Sequence, residues 1–125
     1  MTQIIVSHLK KADIDSKSAV IGDATACVGG DSLSMARYFK QVYSFEMDPV
    51  RFKHLNNNIK IYGFNNIKTI NDDSLKHIYD LDAHALFFDP PWTGADYKKH
   101  DHLRLYMSDI SIDEIVKKIL LKLLD

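Results

Sequence analysis

The chain has 125 residues, 46% of them hydrophobic and 26% charged, with a formal net charge of -1 at pH 7. That length fits one domain, taken as residues 1–125, and leaves little room for an internal repeat, while ordinary globular usage excludes a disordered or fibrous class. A near-neutral balance argues against a long electrostatic footprint on nucleic acid, which clustered Lys and Arg carry, so a short or small substrate suits it better.

Residues 2–10, with Ile4, Ile5, Val6 and Leu9, predict a short helix that the polar stretch from Lys10 to Lys17 ends. Ala19-Val20-Ile21 is a brief apolar run ending in Gly22-Asp23, the length and ending of a buried strand that feeds a turn. Gly29-Gly30 punctuates the turn, and Asp31-Ser32 supply N-cap chemistry for a helix carrying Leu33, Met35, Ala36 and Phe39 at helical spacing. Val42 to Phe45 predicts a second strand ending at Glu46. Pro49 then opens a helix that runs to about Tyr62, with Gly63 closing it. Ile67 to Ile70 is a third strand, Leu75 to Tyr79 a short helix and Ala85 to Phe88 a fourth strand. Ile112 to Leu124 is a last amphipathic helix, capped by Ser111 or Asp109.

Strands alternating with helices predict an α/β fold, a mostly parallel sheet with helices on both faces joined by right-handed crossovers. The last helix presents Ile115, Ile119, Leu120 and Leu123 and needs a further layer over that face. The expectation is that the chain is C-terminally incomplete, or that a protein partner covers this helix. Cys27 is the sole cysteine, so no intrachain disulfide forms and a reducing compartment is the natural setting. No apolar run approaches the roughly 20 residues that a bilayer requires, and no secretory signal is visible. A soluble intracellular protein, in cytoplasm or nucleus and away from membranes, is expected.

In an open α/β sheet, ligands bind outside the carboxyl ends of the strands, so the strand ends carry the information about function. The first is Asp23-Ala24-Thr25-Ala26-Cys27-Val28-Gly29-Gly30, whose small residues let backbone approach a ligand. Asp31-Ser32 follows Gly30 where a phosphate-gripping loop needs Gly-Lys-Ser or Gly-Lys-Thr, and the G-x-G-x-x-G dinucleotide pattern is absent. A cationic or zwitterionic ligand fits better than a polyanion. Glu46 stands roughly twenty residues beyond the glycine turn, the spacing at which a carboxylate accepts hydrogen bonds from a ribose diol. Asp48 reads as the cap of the next helix. Asp72 and Asp73 close the third strand, where either can accept from an adenine amino group or cap a helix.

The fourth strand runs into Asp89-Pro90-Pro91-Trp92. Two prolines and a tryptophan make a poor turn, because they leave a rigid backbone without donors and a large exposed ring. They make coherent chemistry instead. An aromatic amine is a weak nucleophile, and two acceptors holding its N–H hydrogens turn the lone pair toward an electrophile. The Asp89 carboxylate and the Pro90 carbonyl supply them, while Trp92 stacks on a flat base. Lys98, Lys99, His100, His102 and Arg104 read as a solvated loop or as phosphate contacts. The six histidines are scattered and predict no metal site.

From Val20 to Tyr97 the chain resembles the class I S-adenosylmethionine-dependent methyltransferases, and more closely the RNA cap guanine-N2 methyltransferases, the trimethylguanosine synthase family. The turn from Asp23 to Asp31 is similar to that family's Asp-Ala-Phe-Cys-Gly-Val-Gly-Gly-Asn. Glu46-Met47-Asp48-Pro49-Val50 resembles its acidic-x-Asp-Pro-Val segment, and Asn57-Asn58 with Tyr62-Gly63 its Asn-Asn…Tyr-Gly helix. Pro90-Pro91-Trp92-Thr93-Gly94-Ala95-Asp96-Tyr97 resembles Pro-Pro-Trp-Gly-Gly-Pro-Asp-Tyr, whose tryptophan stacks on a 7-methylguanine cap.

The resemblance implies a Rossmann-like class I methyltransferase fold and methyl transfer to the N2 amino group of guanine in a 7-methylguanosine cap. It implies S-adenosyl-L-methionine as cofactor, bound by Asp23, Ala24, Cys27, Gly29, Glu46, Met47, Asp73 and Asp89. Catalysis falls to Asp89, Pro90 and Trp92, and capped RNA or a cap nucleotide to Asn58, Pro91, Trp92 and Tyr97. The chain departs from the family in three places. Asp89 stands where the family usually has Ser and is the choice of adenine-N6 and ribosomal guanine-N2 methyltransferases, which are the alternative activities. Cys27 stands at a glycine of the cofactor turn. Three further strands and an N-terminal helical extension that the family implies are not in this sequence, so a catalytically inactive, partner-binding subunit is a third expectation.

Overall fold

A computed structural model of the chain describes residues 1–91 and 104–124, which fall into two compact units, Met1–Phe88 and Asp89–Asp125. In the first unit the apolar runs are strands: β1 (Val20–Asp23), β2 (Gln41–Phe45), β3 (Ile67–Ile70) and β4 (Ala85–Phe87). All pair in parallel, in the order β3-β2-β1-β4. β1 therefore has a strand on either side, and Ile21 and Asp23 are fully buried. This is the parallel α/β sheet that the alternation of strands and helices predicts, in the Rossmann-like form that the resemblance implies.

Register places Ile67, Val42, Ile21 and Ala85 in one row across the sheet, and Thr69, Ser44, Asp23 and Phe87 in the next row on the same face. Helices α2 (Gly30–Ala36) and α3 (Pro49–Tyr62) cover this face: Ser32 of α2 bonds Asp23 and Ser44, and Asn56 of α3 accepts from Thr69. Right-handed crossovers advancing from β1 to β2 to β3 in one direction require both helices on one side. Leu9 of α1 (Thr2–Lys11) joins Ile21, Met35, Phe39 and Val42 in the core there. Burial of side chains this size contributes about 1.5–3 kcal/mol each.

The return from β3 to β4 crosses the opposite face. There His77 stacks on Phe45 with ring centroids 5.5 Å apart, and a Cβ added at Gly22 would lie 2.8 Å from Leu81 Cδ2. This connection carries a 3-10 turn, Ser74–Lys76, where a short helix is expected from Leu75 to Tyr79. Too few residues separate the Asp73 cap from the turns that follow for α-helical hydrogen bonds to propagate.

Helix α3 starts and stops where its sequence predicts. The Asp48 carboxylate accepts from the Arg51 N–H at 2.8 Å, Pro49 fills the first turn, and Gly63 closes the helix at φ 74°. Helix α2 differs from expectation. It begins at Gly30 on a left-handed Gly29, which has no side chain to cap with, and Asp31 and Ser32 fall inside the helix, where the Ser32 hydroxyl bonds Asp23.

In the second unit, β5 (Tyr106–Met107) and β6 (Ile110–Ser111) form an antiparallel hairpin that the sequence does not announce. Its turn residues Ser108 and Asp109 hold φ of 46° and 65°, the positive values of a two-residue hairpin loop. Asp109 is therefore part of the turn, and Ser111 caps α4 (Ile112–Leu123), accepting from the Glu114 N–H at 3.3 Å. Ile115 is fully buried, whereas Val116, Leu120, Leu121 and Leu123 are exposed. Among the described residues no helix is long and apolar enough to cross a membrane.

Candidate active site

The turn after β1 is stitched to both neighbouring strands. The Ala24 N–H donates to the Phe87 carbonyl that ends β4, at 2.9 Å, and the Ala26 N–H to the Phe45 carbonyl that ends β2, at 3.0 Å. The backbone turns through two left-handed residues, Cys27 (φ 51°) and Gly29 (φ 102°). Gly29 is needed twice over: its φ suits glycine, and a Cβ there would meet Leu55 Cδ1 of α3 at 2.8 Å. Asn58 of α3 holds the same turn from below, its Nδ2 donating to the Val28 carbonyl at 2.8 Å.

Glu46, one residue past β2, is 8% exposed and fixed from two sides. Oε2 accepts from the Cys27 N–H at 2.9 Å and Oε1 from the Asp48 N–H at 3.0 Å, with Arg51 Nε 3.4 Å away. Each carboxylate oxygen has two lone pairs, so acceptor capacity remains for a diol at the edge of the turn. Asn71 braces the backbone here, donating from Nδ2 to the Glu46 carbonyl at 2.8 Å. Met47 beside it is exposed.

Asp23 and Ala24 are buried. The Asp23 Oδ2 accepts from Ser32 Oγ at 2.6 Å, Oδ1 accepts from the Thr25 N–H at 3.2 Å, and Ser32 Oγ lies 2.7 Å from Ser44 Oγ. Asp73 caps the 3-10 turn, accepting from the Leu75 N–H at 3.0 Å. Its neighbour Asp72 accepts from Lys76 Nζ and His77 Nε2, each at 2.9 Å. The Lys76 ammonium first, then His77 and the Asp73 N–H, hold the Asp72 carboxyl well below the usual carboxylate range.

Asp89 begins two residues beyond Phe87, with Asp89 and Pro91 exposed and Pro90 buried. Trp92, Tyr97, His100 and His102 lie outside the described residues. The structure thus gathers Ala24, Cys27, Gly29, Glu46 and Asn58 about one turn and gives Asp73 a capping bond. Ser32, Ser44 and Asn71 are the supports that sequence reasoning missed; small polar residues carry no pattern that separates an inner bond from a surface one. Among the described residues no group of three or more His, Cys, Asp and Glu side chains could hold a metal ion.

A parallel sheet of this order, with a glycine turn after β1 and an acid after β2, is the Rossmann-like arrangement that binds a nucleoside-containing cofactor at the carboxyl ends of its strands. The RNA cap guanine-N2 methyltransferase family model matches residues 18–123, and the chain belongs to that family. An uncharacterized protein of Acanthamoeba polyphaga mimivirus is 42% identical over 118 residues, 92% of this chain and 46% of that protein. The chain therefore spans about half the length of this curated relative.

Among solved structures, an rRNA methylase from Streptococcus thermophilus superposes with a TM-score of 0.61 at 21% identity, covering 95% of this chain and 63% of that one. A Streptococcus mutans protein assigned as a methyltransferase and solved with SAH gives 0.62 at 18% identity, covering 97% and 64%. Both likenesses are of fold. S-adenosylmethionine is the cofactor of the family, and this chain's residues fit it: a carboxylate pinned by two backbone amides with lone pairs to spare, beside a turn free of bulk at Gly30, where an added Cβ meets nothing within 4 Å.

Proposed function

We propose that this protein transfers a methyl group to the exocyclic N2 amino group of guanine in a 7-methylguanosine RNA cap, acting inside the cell on capped RNA or a cap nucleotide, with residues 1–125 forming part of a single methyltransferase domain. One observation carries the reading. Asp89-Pro90-Pro91-Trp92 starts two residues beyond β4, whose last carbonyl receives the first amide of the glycine turn, inside the match to the cap guanine-N2 family.

Bound S-adenosylmethionine supplies a methyl group on a cationic sulfur. Glu46 would accept from the ribose hydroxyls, and Asp23, Ala24, Cys27, Gly29, Met47 and Asp73 would hold the rest of the cofactor. The Asp89 carboxylate and the Pro90 carbonyl each accept one N–H of the target amine, which turns its lone pair out of the ring. The resemblance assigns base stacking to Trp92 and substrate contacts to Pro91, Tyr97 and Asn58. The bond from the methyl carbon to sulfur would break as the bond to nitrogen forms, leaving S-adenosylhomocysteine, and no strong base would be required, because the cationic amine sheds its proton to water.

Two other readings have an observation each. Asp89 in place of the family's usual Ser favours an adenine-N6 or ribosomal guanine-N2 target. The exposed Leu120 and Leu123 of α4 favour a partner-binding, inactive subunit. The test is transfer of labelled methyl to capped RNA and to the same RNA uncapped, followed by digestion to nucleosides. N2-methylated 7-methylguanosine from the capped RNA alone is the expected product. A dominant N6-methyladenosine, or equal labelling of both RNAs, contradicts the cap reading, and no labelling favours the inactive subunit.

A further inference from the structure

We propose that Ser32 is a positioning residue for cofactor binding, acting through a buried chain of hydroxyl and carboxyl groups that joins the two strand ends flanking the site. This inference rests on the reading of the β1 turn and Glu46 as the cofactor site.

Asp23, Ser32 and Ser44 are each fully buried, one from β1, one from α2 and one from β2. Ser32 Oγ stands between the other two, 2.6 Å from Asp23 Oδ2 and 2.7 Å from Ser44 Oγ. The other Asp23 oxygen takes the Thr25 N–H, which sets the first bend of the turn. Ser44 lies two residues before Glu46 on the same strand. One hydroxyl thus ties the start of the turn, the first turn of α2 and the strand that presents the ribose-binding carboxylate.

A purely apolar contact would hold α2 on the sheet equally well. A linear set of short, directional bonds fixes the register of α2 along β1 and β2, and a site of this kind loses function when its supports shift by about 1 Å. Removing the Ser32 hydroxyl breaks its buried bonds to Asp23 Oδ2 and Ser44 Oγ, and α2 loses the tie that fixes its register against β1 and β2.

The experiment compares Ser32→Ala, Ser44→Ala and Asn66→Ala in the full chain, measuring S-adenosylhomocysteine affinity by calorimetry well below each melting midpoint, and the midpoint itself. Asn66 is the control. Its Nδ2 donates to the Ala36 and Phe39 carbonyls at 2.8 and 3.0 Å, at the far end of α2. Ser32→Ala is expected to weaken affinity about tenfold and Ser44→Ala less, since the Ser32–Asp23 bond survives in it. Asn66→Ala is expected to lower the midpoint with affinity unchanged.

Unchanged affinity in Ser32→Ala, or equal losses in Ser32→Ala and Asn66→Ala, overturns the positioning role. If Ser32→Ala does not fold, Ser44→Ala decides, its affinity falling while that of Asn66→Ala holds. Failure of the wild-type chain to bind at all refutes the cofactor site itself and takes this inference with it. That result is distinguishable, because no variant is then needed to see it.

Discussion

The backbone N–H of Cys27 donates to Oε2 of Glu46 at 2.9 Å, and the amide faces the carboxylate while Cys27 holds a φ of 51°. A residue with a side chain in that conformation costs about 1–2 kcal/mol. The turn at the end of β1 thus carries strain in order to grip the acid at the end of β2.

Cys27→Gly should relieve the strain, offset in part by the freedom glycine gains in the unfolded chain. A stability gain of up to about 1 kcal/mol is expected, read as a higher Tm. A lower Tm would show that the thiol contributes packing that the φ argument leaves out.

Gly29 and Gly30 are neighbours with opposite predictions. Gly29→Ala combines a φ of 102° with a Cβ 2.8 Å from Leu55 Cδ1, and should cost about 2 kcal/mol or more in chemical denaturation. Gly30→Ala meets nothing within 4 Å and enters the first turn of α2, so it should be neutral or slightly stabilising. Equal effects at the two positions would contradict the described turn.

Asp72 sets a pH dependence. Its carboxyl is held below the ordinary range by Lys76, His77 and the Asp73 N–H, so the stability it contributes is fully present above the unfolded carboxylate pKa, near 3.9, and is lost as pH falls below it. Asp72→Asn should lower the Tm at neutral pH. The gap from wild type should hold from neutral pH down to about pH 4 and narrow below that as the carboxyl is protonated. A gap that stays constant from neutral to acid pH would remove the ion pair from the account.

The parts of this fold legible in the sequence are those with local causes. Asp48, Pro49 and Gly63 announce α3 because capping and φ preference act within a few residues. The strands read through as short apolar runs because the sheet buries both faces of β1. What stayed hidden depends on partners distant in the chain. Ser32 looks like a cap and is instead the middle of a bond chain from β1 to β2, and Cys27 occupies a left-handed position where glycine would have been the cue. The hairpin at Ser108-Asp109 is local, and was hidden because Ser and Asp hold positive φ there in place of the glycine that would have been the cue. At the site, Glu46 and the glycine turn were readable from spacing, whereas the bonds that fix Glu46 come from backbone amides, which no side-chain pattern encodes.

The β1 turn and Glu46 together are the proposed cofactor site. Calorimetric titration of S-adenosylhomocysteine into the wild-type chain and into Glu46→Ala tests it most directly. Saturable one-site binding to wild type, weakened about tenfold or more in a still-folded Glu46→Ala, is the predicted result. A folded wild-type chain that takes up no ligand at millimolar concentration, or a variant that binds as tightly as wild type, would contradict it.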